Sequence, residues 1–360
     1  MSAGAALPLS AREFAELMSP FEPFERPPVV AVALSGGRDS TCLALLAHEW
    51  AVVRGGAAFA LIVDHGLRAE AAAEADATHR RMESLGIAGE VLRWVGAKPA
   101  QGIQEAARVA RYALLSEACV RRGILHLLVA HHAADQAETV VMRHERGSGP
   151  DGLAGMAALV EHRDVRLLRP LLGVARERLT ATLEARGVGW VEDPSNADLR
   201  FARSRLRAAP RQGRTPVVTG DRGETERRLA ETAVAILAFT PDGSVSVDCE
   251  GVARLDTALA GRLLSRVVQA VGTRDHPPRR ERLERAVARL SRVEGRGRTG
   301  KSRDFTLSGC RLMLRKAPGD GRLCWIVRCE NGRKSGKNRG QPLIPAAFFA
   351  CGTPVGTHLD

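Results

Sequence analysis

The stretch Val29-Val30-Ala31-Val32-Ala33-Leu34-Ser35-Gly36-Gly37-Arg38-Asp39-Ser40 decides the fold. Its first six residues are apolar and β-friendly without polar alternation, as expected of a strand buried on both faces. Beyond the glycines, Leu43, Leu46 and Trp50 recur at helical spacing, which predicts a helix over 41–54. A strand, a Gly-Gly turn and a helix in succession make a cradle for a polyphosphate. The glycines let an anion approach the backbone, and successive N–H groups with the helix N-terminus face it. Ser35, Gly36, Gly37, Arg38, Asp39 and Ser40 are therefore expected to bind ATP, with Asp39 orienting the loop or holding a magnesium ion. No Lys-Ser/Thr pair closes the loop, so it is not a Walker A sequence, and it is not GxGxxG.

Working outward, buried strands are predicted over 58–63, 90–95 and 126–130, with helices over 70–85, 101–122 and 134–145. A further apolar run covers 165–172 and a helix 176–186. Strands alternating with helices at this spacing predict an α/β fold, a doubly wound parallel sheet. Such sheets bind ligands at the carboxyl ends of their strands, and the polar motifs here fall at the ends of the first, second and fourth. Downstream, helices are predicted over 225–239, 255–271 and 279–293, the last strongly basic. Short strands follow over 305–307, 311–314 and 323–328. The expected organisation is an N-terminal extension (1–28), an ATP-binding catalytic domain (29–209), a linker rich in Arg, Gly, Thr and Pro (210–224), a smaller basic domain, helical and partly β (225–331), and a tail expected to be flexible (332–360).

Composition narrows the class. The 360 residues suit two domains, and 44% hydrophobic content with only 4% aromatics leaves core packing to alanine and leucine. A net charge of +12 points to a polyanionic partner, with nucleic acid first because clustered cations release counterions from phosphates. The seven cysteines include no CxxC, which argues against a local zinc or iron–sulfur motif and fits a reducing cytoplasm. Glu13, Glu16, Glu22 and Glu25 argue against a transit peptide. No apolar stretch approaches the length that crosses a bilayer.

Four further constellations carry chemistry. Val63-Asp64-His65-Gly66-Leu67-Arg68 ends the second strand, where Asp64 is placed to meet an adenosine or to close a turn. His131-His132-Ala133-Ala134-Asp135-Gln136-Ala137-Glu138-Thr139 leaves the fourth strand. Asp135 is a sensible helix N-cap with Glu138 completing a capping box, and both are also candidate acid–base groups. Adjacent histidines point apart, so a zinc pair is not favoured. Arg108 and Arg111 share a helix face and either clamp a phosphate or pair with Glu105 and Glu117. Finally, Arg146-Gly147-Ser148-Gly149-Pro150-Asp151-Gly152-Leu153-Ala154-Gly155-Met156 forms a basic-edged glycine-rich loop. Glu192-Asp193-Pro194-Ser195-Asn196 opens a polar segment that runs to Arg203-Ser204-Arg205-Leu206-Arg207.

The SGGRDS loop resembles that of the PP-loop ATP pyrophosphatase superfamily, with its adenine nucleotide alpha hydrolase-like fold. The superfamily splits ATP between its α and β phosphates. Taken in order, SGGRDS, VDHGLR, ARxxRY, HHxxDQxET, RGxGxxGLxxM, RPLL (169–172) and EDxSN with the following arginines resemble the tRNA(Ile)-lysidine synthetase family over about 29–207. One departure is Ser204, which stands where that family usually has asparagine. The resemblance implies ATP-dependent ligation of free L-lysine to C2 of the wobble cytidine in isoleucine tRNA with a CAU anticodon, through an adenylated cytidine. It implies catalytic roles for Asp39, His131, Asp135 and Glu138. ATP contacts follow for Asp64, Arg108 and Arg111, and tRNA contacts for Arg146, Arg203, Arg205 and Arg207. ATP and Mg²⁺ are the implied cofactors. A PP-loop tRNA-thiolating enzyme is the nearest rival. It generally needs cysteines near the ATP site, and only Cys42 and Cys119 lie in this domain, in helix patterns that suit buried packing.

Overall fold

Strand β1, Val29–Leu34, runs through the centre of the first of two sheets. Its side chains alternate between two cores. Val30, Val32 and Leu34 face one apolar cluster, and Ala31 and Ala33 face the other. Burial on both sides is why this strand carries no polar positions. The computed structural model describes residues 6–145, 153–162, 164–191, 222–240, 242–272, 277–291, 304–316 and 321–330.

The first unit, up to residue 220, is a three-layer α/β structure. After α1 (Ala11–Met18) and a single 3-10 turn (Ser19–Phe21) come β1, α2 (Arg38–Val52), β2 (Ala57–Asp64), α3 (Ala71–Ser84), β3 (Gly89–Arg93), α4 (Ile103–Arg121), β4 (His126–Leu128) and α5 (Ala133–Glu145). A short hairpin, β5 (Leu159–Glu161) and β6 (Arg166–Leu168), and helix α6 (Arg176–Ala185) follow. The strand order is β3-β2-β1-β4-β6-β5, parallel except for β5 at the edge. The chain moves outward from β1 through β2 to β3, then returns to place β4 on the other side of β1. The crevice above β1 and β4 is therefore a topological switch point, where open α/β sheets bind ligands.

One face is covered by α1, α2, α3 and α6, whose Phe14, Met18, Leu43, Leu46, Met82, Leu179 and Leu183 share a core. On the other face, Leu115, Ala118 and Cys119 of α4 pack on Leu61 and Leu127. Polar contacts tie α1 and α6 together. Arg178 Nη2 donates to both carboxylate oxygens of Glu13 at 3.0 Å, and Leu9 N donates to Thr182 Oγ1 at 2.8 Å. Arg186 meets Glu49 of α2 through two bonds of 3.0 Å, the bidentate geometry that makes such pairs strong.

The second unit, from residue 221, pairs helices with an antiparallel sheet. Its elements are α7 (Arg222–Ile236), β7 (Leu237–Phe239), β8 (Val245–Asp248), α8 (Cys249–Ala253), α9 (Thr257–Gly272), α10 (Arg280–Ser291), β9 (Phe305–Leu307), β10 (Cys310–Lys316) and β11 (Leu323–Cys329), with strand order β7-β8-β11-β10-β9. The expected helix over 225–239 is corrected at its end. Leu237–Phe239 leaves the helix and pairs antiparallel with Val245–Val247, because a turn closed by Thr240, Asp242 and Ser244 folds the chain back. Trp325, fully buried, packs edge-on to Phe305 in a core otherwise built mainly from Val, Leu and Ala, with Cys249 and Cys310. No helix among the described residues is long and apolar enough to cross a membrane.

Candidate active site

At the end of β1 the chain turns through Ser35, Gly36 and Gly37 into α2. Gly36 has φ +78°, and a Cβ placed there would lie 2.5 Å from Thr78 Oγ1 on α3. Both facts demand glycine. Ser40, one turn into the helix, holds the loop closed. Its hydroxyl accepts from Ser35 N at 3.1 Å and donates to Gly37 O at 3.0 Å. Thr41 Oγ1 donates to Gly36 O at 3.3 Å, and Val191 N bonds the same carbonyl at 2.9 Å. Gly37 N also donates within the loop, to Ser35 Oγ at 3.4 Å, so the turn is closed by its own two serines. Gly37 caps α2 without a side-chain bond, so α2 starts at Arg38 rather than Thr41.

Across the switch point, β4 ends at Leu128 and the chain bends so that His131 and His132 reach the same crevice. The two rings part company. His132 is buried, with Nε2 3.4 Å from Asp39 Oδ2 and 3.6 Å from Asp135 Oδ2. His131 Nδ1 accepts from Arg169 Nε at 3.1 Å, and Arg169 Nη1 donates to Ala157 O at 2.7 Å. His132 thus joins the phosphate loop of β1 to the helix after β4 through two carboxylates. Burial opposes ionisation of Asp39, but the hydrogen bond and charge of His132, aided by Arg38, outweigh it and hold the carboxyl below its ordinary range.

Asp135 is not the helix N-cap. Helix α5 begins at Ala133, so Asp135 is its third residue, and its Oδ2 reaches back to accept the His132 N–H at 3.0 Å. His132 Nδ1 in turn accepts from Ala134 N at 3.2 Å, so the reciprocal capping expected for Asp135 and Glu138 is made by His132 and Asp135 instead. Glu138 lies a turn further along the same helix, half-buried. Gln136 clamps the following segment: its amide accepts from Met156 N at 2.6 Å and donates to Met156 O at 3.0 Å.

On the other side of β1, Asp64 Oδ1 accepts from Gly66 N at 2.8 Å, so the Asp-His-Gly sequence does close a turn at the end of β2. The alternative pairing of Arg108 and Arg111 with Glu105 and Glu117 is not what forms. Glu117 meets Arg121 at 3.5 Å, and the Arg108 guanidinium lies 5.1 Å from the centre of the Tyr112 ring. Burial holds the Arg111 guanidinium below its usual basicity, with the charge of Arg108 adding to the effect.

The phosphate loop, Asp39 and Asp135 are thus brought together by this geometry. His131 is turned to Arg169, while Asp64, Arg108 and Arg111 lie on the β2 and α4 side. Arg146, Glu192, Arg203, Ser204, Arg205 and Arg207 lie outside the described residues. Sequence reasoning missed His132 as the central ring of the pair and Arg169 as the partner of His131. The signal for Arg169 was its place at the head of the RPLL motif, and its burial, seen only in the structure, is what demands an acceptor.

The profile of a family described as a PP-loop domain matches residues 8–211. The chain is similar to the tRNA(Ile)-lysidine synthase of Bradyrhizobium sp. (strain BTAi1 / ATCC BAA-1182), with 39% identity over 309 residues, 80% of this chain and 85% of that protein. A protein of the same name from Rhodopseudomonas palustris is 51% identical over 189 residues, 52% of this chain and 55% of its own length. Among solved structures, the U34-tRNA thiolase NcsA from Methanococcus maripaludis aligns with 51% of this chain and 66% of its own at 19% identity, with a TM-score of 0.45.

Proposed function

Because the chain belongs to the tRNA(Ile)-lysidine synthase family and carries its PP-loop domain, we propose that it joins free L-lysine to the wobble cytidine of an isoleucine tRNA with a CAU anticodon, using ATP. The observation that carries this reading is the convergence of a phosphate-cradling loop and two carboxylates, Asp39 and Asp135, on one buried histidine.

The C2 carbonyl of cytosine is a poor electrophile. In the first step its oxygen attacks the α-phosphorus of ATP, an O–P bond forms, and the bond to the β-phosphate breaks to release pyrophosphate. The N–H groups around Gly36 and Gly37 and the N-terminus of α2 stabilise the negative charge on the departing group. Next, the lysine ε-amine attacks C2, the C–N bond forms, and the C2–O bond breaks to release AMP. An ε-ammonium with a pKa of about 10.4 must first lose its proton. Asp135 and Glu138, three residues apart on α5, are the groups we assign to hold the ammonium and accept that proton. Arg108 and Arg111 face the nucleotide or the extruded cytidine. A magnesium ion fits Asp39, whose carboxyl is kept ionised, since Mg²⁺ is commonly held by one or two carboxylates together with substrate phosphates. Such an ion would offset charge on the pyrophosphate.

The thiolation alternative finds no support in the cysteines. Cys42 and Cys119 are buried, and burial pushes their thiols up to about 12 and about 11, far from a reactive thiolate. We place the activity in the cytoplasm, with its tRNA. The test is incubation with ATP, radiolabelled lysine and minor isoleucine tRNA. Label in the tRNA with release of AMP and pyrophosphate is expected, with a loss of about 10²–10⁴-fold in Asp135→Asn. Sulfur transfer without lysine incorporation would overturn the assignment, and full activity in Asp135→Asn would remove that residue from the chemistry.

A further inference from the structure

Beyond the phosphate loop and the two carboxylates, a second set of residues gathers where β2 and β3 end. Trp94 N donates to Asp64 O at 2.9 Å, extending the β2–β3 ladder one residue past β3 and fixing Trp94 beside His65. The two rings meet edge to face with centroids 6.3 Å apart. The chain then folds back through Gly96, and Lys98 Nζ both bonds Trp94 O and lies 3.9 Å from the centre of the indole ring. Val95, between them, is 86% exposed, so this corner opens to solvent.

The charge of the corner is unbalanced. Nearby cations at its margin are paired, Arg68 with Glu74 and Arg93 with Asp76. Lys98, Arg108 and Arg111 have no carboxylate within ion-pair distance among the described residues, although the charges of Lys98 and Arg111 both act on His65. His65 Nδ1 is buried and has no hydrogen-bond partner there. Burial, then Arg111 and Lys98, push the imidazole below its ordinary pKa against the opposing charge of Asp64, so at neutral pH the ring can offer both a donor and an acceptor. Aromatic rings interleaved with uncompensated cations are the means by which proteins hold single-stranded nucleic acid: bases stack on the rings while cations follow the backbone.

We propose that Trp94, Lys98 and His65 form a nucleotide subsite that receives an anticodon-loop nucleotide neighbouring the reacting cytidine. This rests on the tRNA reading above. ATP offers the same chemistry, a base attached to phosphates. The separate KM values measured below distinguish the two sources. Trp94 follows β3, the edge strand two places from the phosphate loop on β1, and two strand spacings amount to about 10 Å, a separation that a neighbouring nucleotide spans as readily as adenosine.

The test is binding of a fluorescent anticodon stem-loop by the full chain without ATP or lysine, together with KM for tRNA and for ATP in the ligation assay. Trp94→Ala should weaken stem-loop binding by about 5- to 150-fold and raise KM for tRNA, with KM for ATP unmoved, while Trp94→Phe recovers most of the loss. Lys98→Ala should flatten the dependence of log K on log salt by about 0.7. Stem-loop affinity unchanged in a folded Trp94→Ala protein would overturn the proposal, as would a rise in KM for ATP alone, which would give the wall to adenosine. If Trp94→Ala fails to fold, Lys98→Ala decides, and an unchanged salt slope overturns it. The binding arm needs no lysidine formation, so failure of the ligase reading and failure of the subsite are separable.

Discussion

Gly36 and Asp39 sit three residues apart and are constrained for different reasons. Gly36 is fixed by its left-handed backbone and by Thr78 above it. Gly36→Ala should cost about 1–2 kcal/mol from φ alone, with more from the clash, seen as a lower thermal midpoint and weaker ATP binding; wild-type values for both would mean the loop has another conformation. Asp39 is fixed by charge. Its carboxyl in the folded protein lies below the ordinary aspartate value of about 3.9. The stability it adds is therefore complete above that value and is lost as pH falls through the lower, folded-state one. Thermal midpoints of wild type and Asp39→Asn should differ at neutral pH and converge below about pH 4; a gap independent of pH would dissolve the Asp39–His132 pair. Sequence made the phosphate loop legible because its residue types and spacing are dictated locally. It singled out His131 and passed over His132, since which ring meets Asp39 depends on Arg169, thirty-eight positions from His131.

At the scale of elements, periodicity located β1 and most helices, because buried faces impose it. It failed where length was short or partners distant: β7 reads as a helix end, and the hairpin of β5 and β6 is recognisable only once its turn is seen. Helix α1 was invisible to domain-level reading, yet Ser10 and Glu13 form a reciprocal capping box and Phe14 and Met18 are fully buried. Its anchor is Thr182, whose hydroxyl accepts from Leu9 N at 2.8 Å and donates to Arg178 O at 2.6 Å, with no exposure to solvent. Thr182→Val keeps the shape and strands the Leu9 N–H, which should cost about 1–3 kcal/mol. Denaturant titration of the pair of proteins would read it directly, and equal midpoints would mean the Leu9 bond contributes nothing.

For the whole molecule, the charge of +12 finds one outlet at α10, where Arg282 and Arg285 on the helix and Arg279 just before it are exposed at three-residue spacing. If this face grips RNA phosphates, tRNA affinity should fall steeply with salt, and Arg282→Ala with Arg285→Ala should lower the slope of log K against log salt by about two. Binding that ignores salt would contradict an electrostatic grip. Net charge alone pointed to such a partner, but placing it on one face required the burial of Ala286, Val287 and Leu290 on the other. The first unit also carries a constraint of timing. Leu9 and Glu13 meet Thr182 and Arg178 across 173 and 165 positions of chain. At a synthesis rate of about 5–20 residues per second, roughly 8–35 s pass on the ribosome before α1 has its polar partners, although α2, on which it packs, follows it directly in the chain. Throughout that interval Phe14 and Met18 have α2 to pack on, while the Leu9 N–H and the Glu13 carboxylate wait for Thr182 and Arg178, so a nascent chain of this protein buries the apolar face of α1 early and pins its N-terminus late.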